Sequence, residues 1–437
     1  MQIFGGSPKI DSANQLPLLR QKAAATMKSR FTSLPILCLI LLATYCEAGD
    51  WPQILGPNRD GIAVDESLPA EFPAGGPRQV WSHSAGSGSS GAAIQGDDVI
   101  LFHRQGDEEL VECCAFDSGE TRWTVRFPTN FRPVVGTSDG PLAVPVIHGD
   151  RVYVFGTSGF LAAINLQTGD LLWKKNVVSE FRAQEGYFGP GSTPLVVDDL
   201  LIANVGGFRT EAGMVAFERE SGDVVWQATS EHASYASPML YEAKGKKYIL
   251  AIERLSTYLL DAKSGAVIDS IPFGQRGPTV NAANPVLMGN HFFLTASYGI
   301  GSVWGTISPD GLEIVWEDDE ILASQYTTSI AYKDSLFAVN GRQDGGNPIL
   351  CCINPTTRST NWEEYYLGYA TLIRVDDRLL HMNTSGTLRL LAADTSSYQE
   401  LSKAELTRGT TRALPALSRG HLIIRNEDEF LCFKLTE

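Results

Sequence analysis

The chain has 437 residues, of which 43% are hydrophobic and 19% charged, and its formal net charge at pH 7 is −15. This length and apolar content are those of a globular protein with a sizeable core. The acidic balance argues against nucleic acid and anionic lipid as partners, because both attract positively charged surfaces.

The first 48 residues carry the pattern of an export signal. A basic start at 27–30 precedes an apolar run at 34–43, and a signal-peptidase site follows Ala48. Met27 is an alternative start of translation. The run is short for a bilayer span, so we expect no transmembrane segment in the mature chain. A lipid anchor at Cys46 is disfavoured because Tyr45 before it is not small. We therefore expect an exported protein of the periplasm or cell envelope.

Cleavage after Ala48 leaves 30 basic and 48 acidic side chains, a net charge of −18. Residues 49–77 then form an N-terminal lead-in arm. From residue 78 to residue 437 one phrase recurs, most clearly from Ala163 through Thr168-Gly169 to Trp173. Successive copies end about 50, 53, 43, 47 and 46 residues apart, with Asp269 at one degenerate end. Periods of this size indicate repeated units, each unable to bury its apolar face alone.

Each unit contains four short runs rich in β-branched and aromatic residues, separated by Gly, Asp and Asn turns. No stretch after residue 50 keeps apolar residues at helical spacing for three turns. Four-stranded antiparallel units at this period predict an all-β protein, a β-propeller. Eight inner strands are predicted to begin near Ala92, Pro145, Pro194, Pro238, Pro285, Ser329, Thr371 and Pro415.

The last unit lacks a fourth strand, whereas 78–81 reads as an outermost strand without a blade of its own. We infer that this N-terminal strand completes blade eight and closes the ring, which removes exposed sheet edges. Seven blades is the alternative, since the units near 371 and 415 have the most eroded signatures.

The repeat Ala-x-Asp/Asn-x-x-Thr-Gly-x-x-x-Trp resembles the tryptophan-docking repeat of the quinoprotein, or pyrroloquinoline quinone (PQQ)-like, β-propellers. The resemblance covers about residues 78–437. It implies that each tryptophan packs between neighbouring blades, with Asp269 and Leu401 at the two degenerate positions. The docking residues it implies are Trp81, Trp123, Trp173, Trp226, Trp316 and Trp362.

The paired cysteines Cys113-Cys114 and Cys351-Cys352 have two interpretations. Some quinoprotein dehydrogenases carry a disulfide between adjacent cysteines against the cofactor. The repeat register favours small buried core positions instead, with Cys114 aligned to Ala162, Cys352 to Ala163 and Cys432 to Ala216. Neighbours in a strand also point to opposite faces, which disfavours a bridge between them.

The remaining chemical motifs are weak. The seven histidines are scattered without metal-ligand spacing, so no metal site is expected. The acidic pairs at 97–98, 198–199 and 376–377 recur at the first hairpin turn of three blades, where turn chemistry explains them better than calcium does.

Two connections between blades are long, 124–142 and 174–191, and they carry aromatic and arginine residues typical of binding surfaces. The alternative is a lid packed over the channel mouth. The candidate binding face comprises Phe131, Arg132, Arg182, Glu185, Tyr187, Phe188, Arg276, Gln325, Tyr326 and Arg412.

Two functions remain open. The first is a monomeric, non-enzymatic scaffold that binds an envelope protein, similar to the propeller subunit of the outer-membrane β-barrel assembly machinery, with no cofactor. The second is a PQQ- and Ca²⁺-dependent alcohol or sugar oxidoreductase. The scaffold is favoured, because about 390 mature residues leave little chain beyond eight blades and no position matches the family's calcium ligands or catalytic Asp.

Overall fold

The computed structural model describes residues 49–136, 138–184 and 186–436. The expected export signal at 1–48, with Met27, Cys46 and Ala48, lies outside these residues, as does Glu185. The described chain is almost entirely β-sheet, with one short α-helix, α1 (Val177–Glu180), and a 3-10 turn at Phe208–Thr210. No helix in this described part is long and apolar enough to cross a bilayer.

The strands of the first half are β1 (Arg78–Ser84), β2 (Ala93–Gln95), β3 (Asp98–Gln105), β4 (Glu108–Ala115), β5 (Thr121–Pro128), β6 (Val146–His148), β7 (Arg151–Phe155), β8 (Phe160–Asn165), β9 (Leu171–Asn176), β10 (Leu195–Val197), β11 (Leu200–Gly207), β12 (Ala212–Glu218), β13 (Val224–Ala228), β14 (Met239–Ala243), β15 (Lys246–Ile252), β16 (Ser256–Asp261) and β17 (Val267–Pro272). Those of the second half are β18 (Val286–Met288), β19 (His291–Ala296), β20 (Gly301–Ser308), β21 (Gly311–Asp318), β22 (Ile330–Tyr332), β23 (Ser335–Asn340), β24 (Ile349–Asn354), β25 (Ser359–Glu364), β26 (Ala370–Val375), β27 (Arg378–Asn383), β28 (Thr387–Ala392), β29 (Glu400–Glu405), β30 (Ala416–Ser418), β31 (His421–Arg425) and β32 (Glu429–Lys434).

These strands form eight four-stranded antiparallel sheets, the blades. Seven blades use four consecutive strands, from β2–β5 in blade one to β26–β29 in blade seven. Blade eight consists of β30, β31 and β32 with β1 added at its outer edge, where Trp81 lies opposite Cys432. The predicted eight-bladed propeller, closed by an N-terminal strand, is confirmed.

The repeat tryptophans join each blade to the next. Their indole nitrogens donate to backbone oxygens of the following blade: Trp81 to Phe116 (2.7 Å), Trp123 to Leu166 (2.8 Å), Trp173 to Arg219 (3.0 Å), Trp226 to Ala262 (3.1 Å), Trp316 to Pro355 (2.8 Å) and Trp362 to Asp394 (2.9 Å). At the degenerate position, the Asp269 carboxylate accepts the Leu312 N–H at 2.9 Å. The repeat glycine explains the close approach: a Cβ on Gly222, whose φ is +75°, would lie 2.8 Å from the Trp173 ring.

The pairing of the third and fourth strands corrects one cysteine alignment. Trp173 lies opposite Ala163, with a register shift immediately after it, and Trp123 lies opposite Cys113 in the same way. Cys113 is therefore the equivalent of Ala163 and Cys114 that of Ile164, so the predicted equivalence of Cys114 with Ala162 is wrong by two residues. Adjacent small residues left the register ambiguous. The residue paired with the tryptophan is identified by its constant separation of ten residues from it, as in Ala163 and Trp173 or Cys113 and Trp123.

Small polar residues at the inner-strand entries link the blades around the axis. Each side chain accepts the backbone N–H of the preceding blade: Thr193 from Val144 (3.0 Å), Ser237 from Thr193 (2.9 Å), Asn284 from Ser237 (2.7 Å) and Thr328 from Asn284 (3.0 Å). Short side chains with an acceptor oxygen satisfy these buried amides without filling the space between strands.

The segment 49–77 crosses the ring. Trp51 pairs with Ile94 of blade one, and Ile62 forms a bridge with Arg374 of blade seven. Between them Arg59 donates to the backbone of blade three. Gly61 permits this path, because its φ is +72° and a Cβ there would lie 2.2 Å from Ile330 of blade six. The arm thus contacts inner strands on both sides of the axis.

Candidate functional site

The candidate residues lie on one end of the propeller, which we call the loop face. In each blade the chain passes from the innermost strand to the outermost strand, and neighbouring strands are antiparallel. Because the direction reverses at each strand, the connection between blades and the turn between the second and third strands lie at the same end of the propeller. The two longest connections are 129–145 and 177–194. The loop face therefore comprises these connections, their shorter equivalents and the turns beside them.

The connection 129–145 is anchored by a buried arginine. Arg104 is 2% exposed and donates Nη1 to the carbonyl oxygens of Phe131 and Asp139, each at 2.9 Å. Phe131 is buried beneath the loop, whereas Arg132 projects into solvent and pairs with Asp107 at 3.4 Å. At the tip, Val134 and Val135 are 73% and 53% exposed. A firmly anchored loop thus presents two apolar side chains to solvent.

The connection 177–194 begins with helix α1, which Asn176 caps by accepting the Ser179 N–H at 2.8 Å. Its later part rests on a residue of the connection between blades three and four: the Tyr235 hydroxyl accepts the N–H groups of Tyr187 and Phe188 at 3.0 and 3.1 Å. Burial raises the pKa of Tyr235, although these two N–H groups oppose the shift. Tyr187 and Phe188 are consequently held side by side, with both rings half-buried.

The two long connections meet directly, since the Val134 N–H donates to the Tyr187 carbonyl at 2.9 Å. Below this contact lies a cleft of 480 Å³ between blades three and four, lined by Tyr187, Tyr235, Asn204, His232, Arg254 and Asn281. The amide nitrogens of Asn204 and Asn281 donate to consecutive backbone carbonyls, those of Ile252 and Glu253, at 3.1 Å each. These bonds fix the walls of the cleft.

Three other candidates converge on a different part of the face. Gln343 accepts the Tyr326 hydroxyl at 2.9 Å and Arg412 Nε at 3.0 Å, and its N–H donates to Gln325 at 2.8 Å. Burial raises the pKa of Tyr326, so its hydroxyl stays a donor. This second cluster joins blades six and eight through one glutamine.

The structure thus gathers the candidates into two groups. Tyr187 and Phe188 form the first, close to exposed Arg276, because the Tyr187 hydroxyl reaches the Gly277 carbonyl at 3.5 Å. Arg182 is exposed, with φ +51°, and Phe131 belongs to the loop interior. Glu185 lies outside the described residues.

Sequence reasoning missed Tyr235 and Gln343. Tyr235 holds the first group together, and Gln343 holds the second. Tyr235 lies in a short connection between blades, and the sequence pattern pointed mainly to the long connections as binding surfaces. Gln343 lies in a turn between second and third strands. Those turns reach the same face by strand reversal alone, and this geometric rule was available from the sequence.

One side-chain cluster has metal-ligand chemistry: His83, His103 and Glu112, the only such group of three or more in the described ranges. Glu112 accepts from His83 and His103 at 2.9 and 2.8 Å. The Gly86 N–H donates to His103 Nδ1, so the proton of that ring is on Nε2. A metal on Nε2 would move this proton to Nδ1, against the Gly86 N–H. The residues therefore fit a hydrogen-bonded triad and do not fit a metal.

The cysteines offer no redox centre. Cys113, Cys114, Cys351, Cys352 and Cys432 are buried free thiols within the described chain. Burial raises the pKa of Cys352 to about 11 and that of Cys432 to about 12, which removes the thiolate needed for reactivity. The adjacent pairs occupy strands β4 and β24, away from the loop face.

A family model described as outer membrane protein assembly factor BamB matches residues 107–364. This match covers more than half of the chain, and the chain belongs to that family. Among solved structures, BamB from Moraxella catarrhalis is 16% identical, with a TM-score of 0.60, covering 82% of this chain and 99% of that one. A europium-containing methanol dehydrogenase is 10% identical, with a TM-score of 0.51, covering 88% and 91%. At these identities the likeness shows the fold alone.

A curated relative, the quinoprotein alcohol dehydrogenase PedH of Pseudomonas putida, is 28% identical over 157 residues, which are 34% of this chain and 25% of PedH. The quinoprotein ethanol dehydrogenase of Pseudomonas putida is 30% identical over 161 residues, 34% of this chain and 24% of that protein. The chain therefore spans about a quarter of the curated relatives that it matches.

Proposed function

We propose that this member of the outer membrane protein assembly factor BamB family is a non-enzymatic scaffold of the cell envelope that binds a partner protein through its loop face. The observation that carries the proposal is the tip of connection 129–145. Val134 and Val135 expose most of their apolar surface there, on a loop anchored by the buried Arg104.

Exposed apolar side chains on a rigid support suit protein recognition for two reasons. Their burial against a partner removes apolar area from water, at about 25 cal/mol per Å². Their anchoring also means that little conformational entropy is lost on binding. Arg132, Arg182 and Arg276 are exposed charges in connections of the same face, a composition typical of interface rims. We therefore expect a partner with an apolar patch bordered by acidic residues.

The alternative, a PQQ- and Ca²⁺-dependent oxidoreductase, is supported by the similarity to PedH. The described residues do not fit those groups. The arm residue Arg59 is a buried cation bonded to the inner-strand entry of blade three, and a positive charge there opposes Ca²⁺ nearby. The adjacent cysteines are free thiols inside sheets, so they supply no disulfide against a quinone. We derive no step through either group.

Placement in the envelope is part of the same proposal. It is supported by the family description, which names an outer membrane assembly factor, and by the export pattern of residues 1–48. The acidic net charge of the chain is compatible with a protein partner and opposes nucleic acid.

The test uses site-specific photo-crosslinking in the native envelope. A crosslinker at Val135 should capture one defined protein, whereas the same crosslinker at Val315, which is 56% exposed on an outer strand, should not. Val135→Glu should weaken binding of the captured protein, purified, by about tenfold or more, and Val315→Glu should leave it unchanged.

Equal capture at both positions would contradict binding through the loop face. Titration with PQQ and Ca²⁺ tests the alternative separately. Saturable binding of PQQ with dye-linked alcohol oxidation would replace the scaffold by an enzyme.

A further inference from the structure

A second pocket of the loop face lies where blade eight meets blade one, apart from the tip at Val134 and Val135. Its volume is 230 Å³. The lining includes Arg425, Arg412, Ser89, Ser138, Thr410 and Glu427. Two guanidinium groups and three hydroxyl groups thus meet around a space of small-ligand size.

Arg425 lies at the buried side of this pocket as a cation without an anion. It is 2% exposed, and its guanidinium donates to the carbonyl oxygens of Ser90, Phe102 and Gly86 at 3.2, 3.3 and 2.7 Å. No carboxylate of the described ranges forms an ion pair with it. Carbonyl dipoles accept from its terminal nitrogens, whereas its buried Nε has no hydrogen-bond partner among the described residues. Its net charge stays uncompensated in a region of low dielectric.

The side of the pocket toward solvent supplies hydrogen-bond donors. Arg412 is exposed, and among the described residues it donates through Nε alone, to Gln343, so its terminal nitrogens remain available. The hydroxyl groups of Ser89, Ser138 and Thr410 are half-buried. An oxyanion is the ligand that matches several donors and two guanidinium groups. Arginine binds planar carboxylate and tetrahedral phosphate groups through two parallel hydrogen bonds.

Two carboxylates are close to this pocket. Asp139, which accepts the Ser87 hydroxyl at 2.6 Å, is already paired with Arg104 and Arg132 at 3.4 and 3.9 Å. Glu427 is exposed in the lining and opposes an anion there. The balance of the lining is still positive, with Arg412 and Arg425 against Glu427.

We propose that this pocket binds a small oxyanion, a phosphate or carboxylate group, between Arg412 and Arg425. The proposal goes beyond partner binding and does not rest on it, since the ligand is titrated into the isolated protein. Phosphate and carboxylate share the recognition chemistry. Which of the two groups the pocket prefers follows from which probe binds more tightly.

Inorganic phosphate and acetate are titrated separately into the isolated protein at constant ionic strength set with chloride, and binding is followed by calorimetry and by thermal unfolding. At least one probe should bind saturably and raise the unfolding temperature. Arg412→Met should weaken that binding by about ten- to a hundredfold. Arg276→Met, on the same face but outside the pocket lining, should leave it unchanged.

Glu427→Gln should strengthen binding, because it removes the opposing charge without touching Arg425. This variant keeps the test valid if Arg425 variants fail to fold. The proposal is overturned if phosphate and acetate act no differently from chloride, or if Arg412→Met binds as tightly as the unchanged protein. Either result is independent of crosslinking at Val135.

Discussion

Arg59 of the N-terminal arm donates Nη2 to the carbonyl oxygen of Thr193, the residue whose side chain links blades two and three, at 2.8 Å. Its Nη1 donates to the neighbouring Pro194 carbonyl, also at 2.8 Å. The guanidinium is buried, no carboxylate in the part of the chain that the structure describes pairs with it, and burial lowers the pKa of Arg59 to about 9. The arm is therefore bonded to the inner ring of the propeller, and Arg59 makes that bond.

Replacing Arg59 should show how much the arm contributes to stability. In Arg59→Met the two carbonyl oxygens lose their donors, while the cost of burying a charge is relieved, so we expect a net loss of about 2 kcal/mol in the free energy of unfolding. Urea unfolding followed by tryptophan fluorescence measures it. Arg78→Met, at an exposed position, is the control and should change stability by less than about 0.5 kcal/mol.

If Arg59→Met lowers the free energy of unfolding no more than Arg78→Met does, the arm lies on the ring without stabilising it.

Trp173 tests the role of the repeat tryptophans. Trp173→Ala should lower the free energy of unfolding by about 3–5 kcal/mol, because it empties a packed site between blades two and three and removes the donor to the Arg219 carbonyl. Chemical denaturation is the measurement. The neighbouring Leu172, 40% exposed, provides the control: Leu172→Ala should cost less than about 1 kcal/mol. Similar effects of both changes would show that Trp173 does not dock the blades.

The architecture was predictable because its determinants repeat. The same packing between blades requires a glycine and a tryptophan at one fixed separation, as in Gly169 and Trp173. Because this pair recurs in several blades, the pattern is distinguished from a chance occurrence of the two residues. The missing fourth strand of blade eight was likewise visible as a surplus strand at Arg78–Ser84. Periodicity carries this information without any knowledge of contacts.

The site was less predictable because its determinants occur once. Arg59 and Arg104 look like ordinary surface arginines, yet both are buried and bonded to backbone carbonyls, which leave no pattern in the sequence. Phe131 was expected on the binding surface but packs beneath its own loop. Which side of a loop faces solvent depends on its anchor, and Arg104 is separated from that loop by a complete hairpin.

His381 should make the protein sensitive to acid. Its side chain is fully buried, neither ring nitrogen has a hydrogen-bond partner in the described structure, and burial lowers its pKa to about 3. An unfolded histidine titrates near 6.5, so as pH falls from about 6.5 toward 3 the unfolded state binds a proton that the folded state does not. The stability lost through this residue is about 1.4 kcal/mol per pH unit in that window.

Two variants separate the proton from the packing. His381→Leu and His381→Gln should both flatten the decline of urea midpoints between pH 6.5 and pH 4 by the same amount, since neither side chain titrates. The leucine variant should be the more stable of the two at every pH, because the glutamine amide stays buried without partners. An unchanged slope in both would place the acid sensitivity elsewhere.

Glu253 should produce the opposite dependence, a loss of stability as pH rises. Its carboxyl group is fully buried beside the cleft residue Arg254, and accepts the Thr229 hydroxyl at 2.5 Å. Burial raises its pKa to about 8, with a smaller contribution from Glu231. From about pH 4.5 to pH 8 the folded state therefore holds a proton that the unfolded state has lost, and stability falls as pH rises through this window.

Glu253→Gln removes this proton while keeping the shape of the side chain. Relative to the unchanged protein, the variant should gain on the order of a few kcal/mol in the free energy of unfolding between pH 5 and pH 8.5. Urea midpoints at the two pH values measure the gain, and Glu313→Gln, at an exposed strand position, should show none. If the difference between Glu253→Gln and the unchanged protein is the same at both pH values, the carboxyl group is ionised in the folded state. A local opening that admits water beside Arg254 would then be required, and the cleft would be wider in solution than its bonded walls at Asn204 and Asn281 indicate.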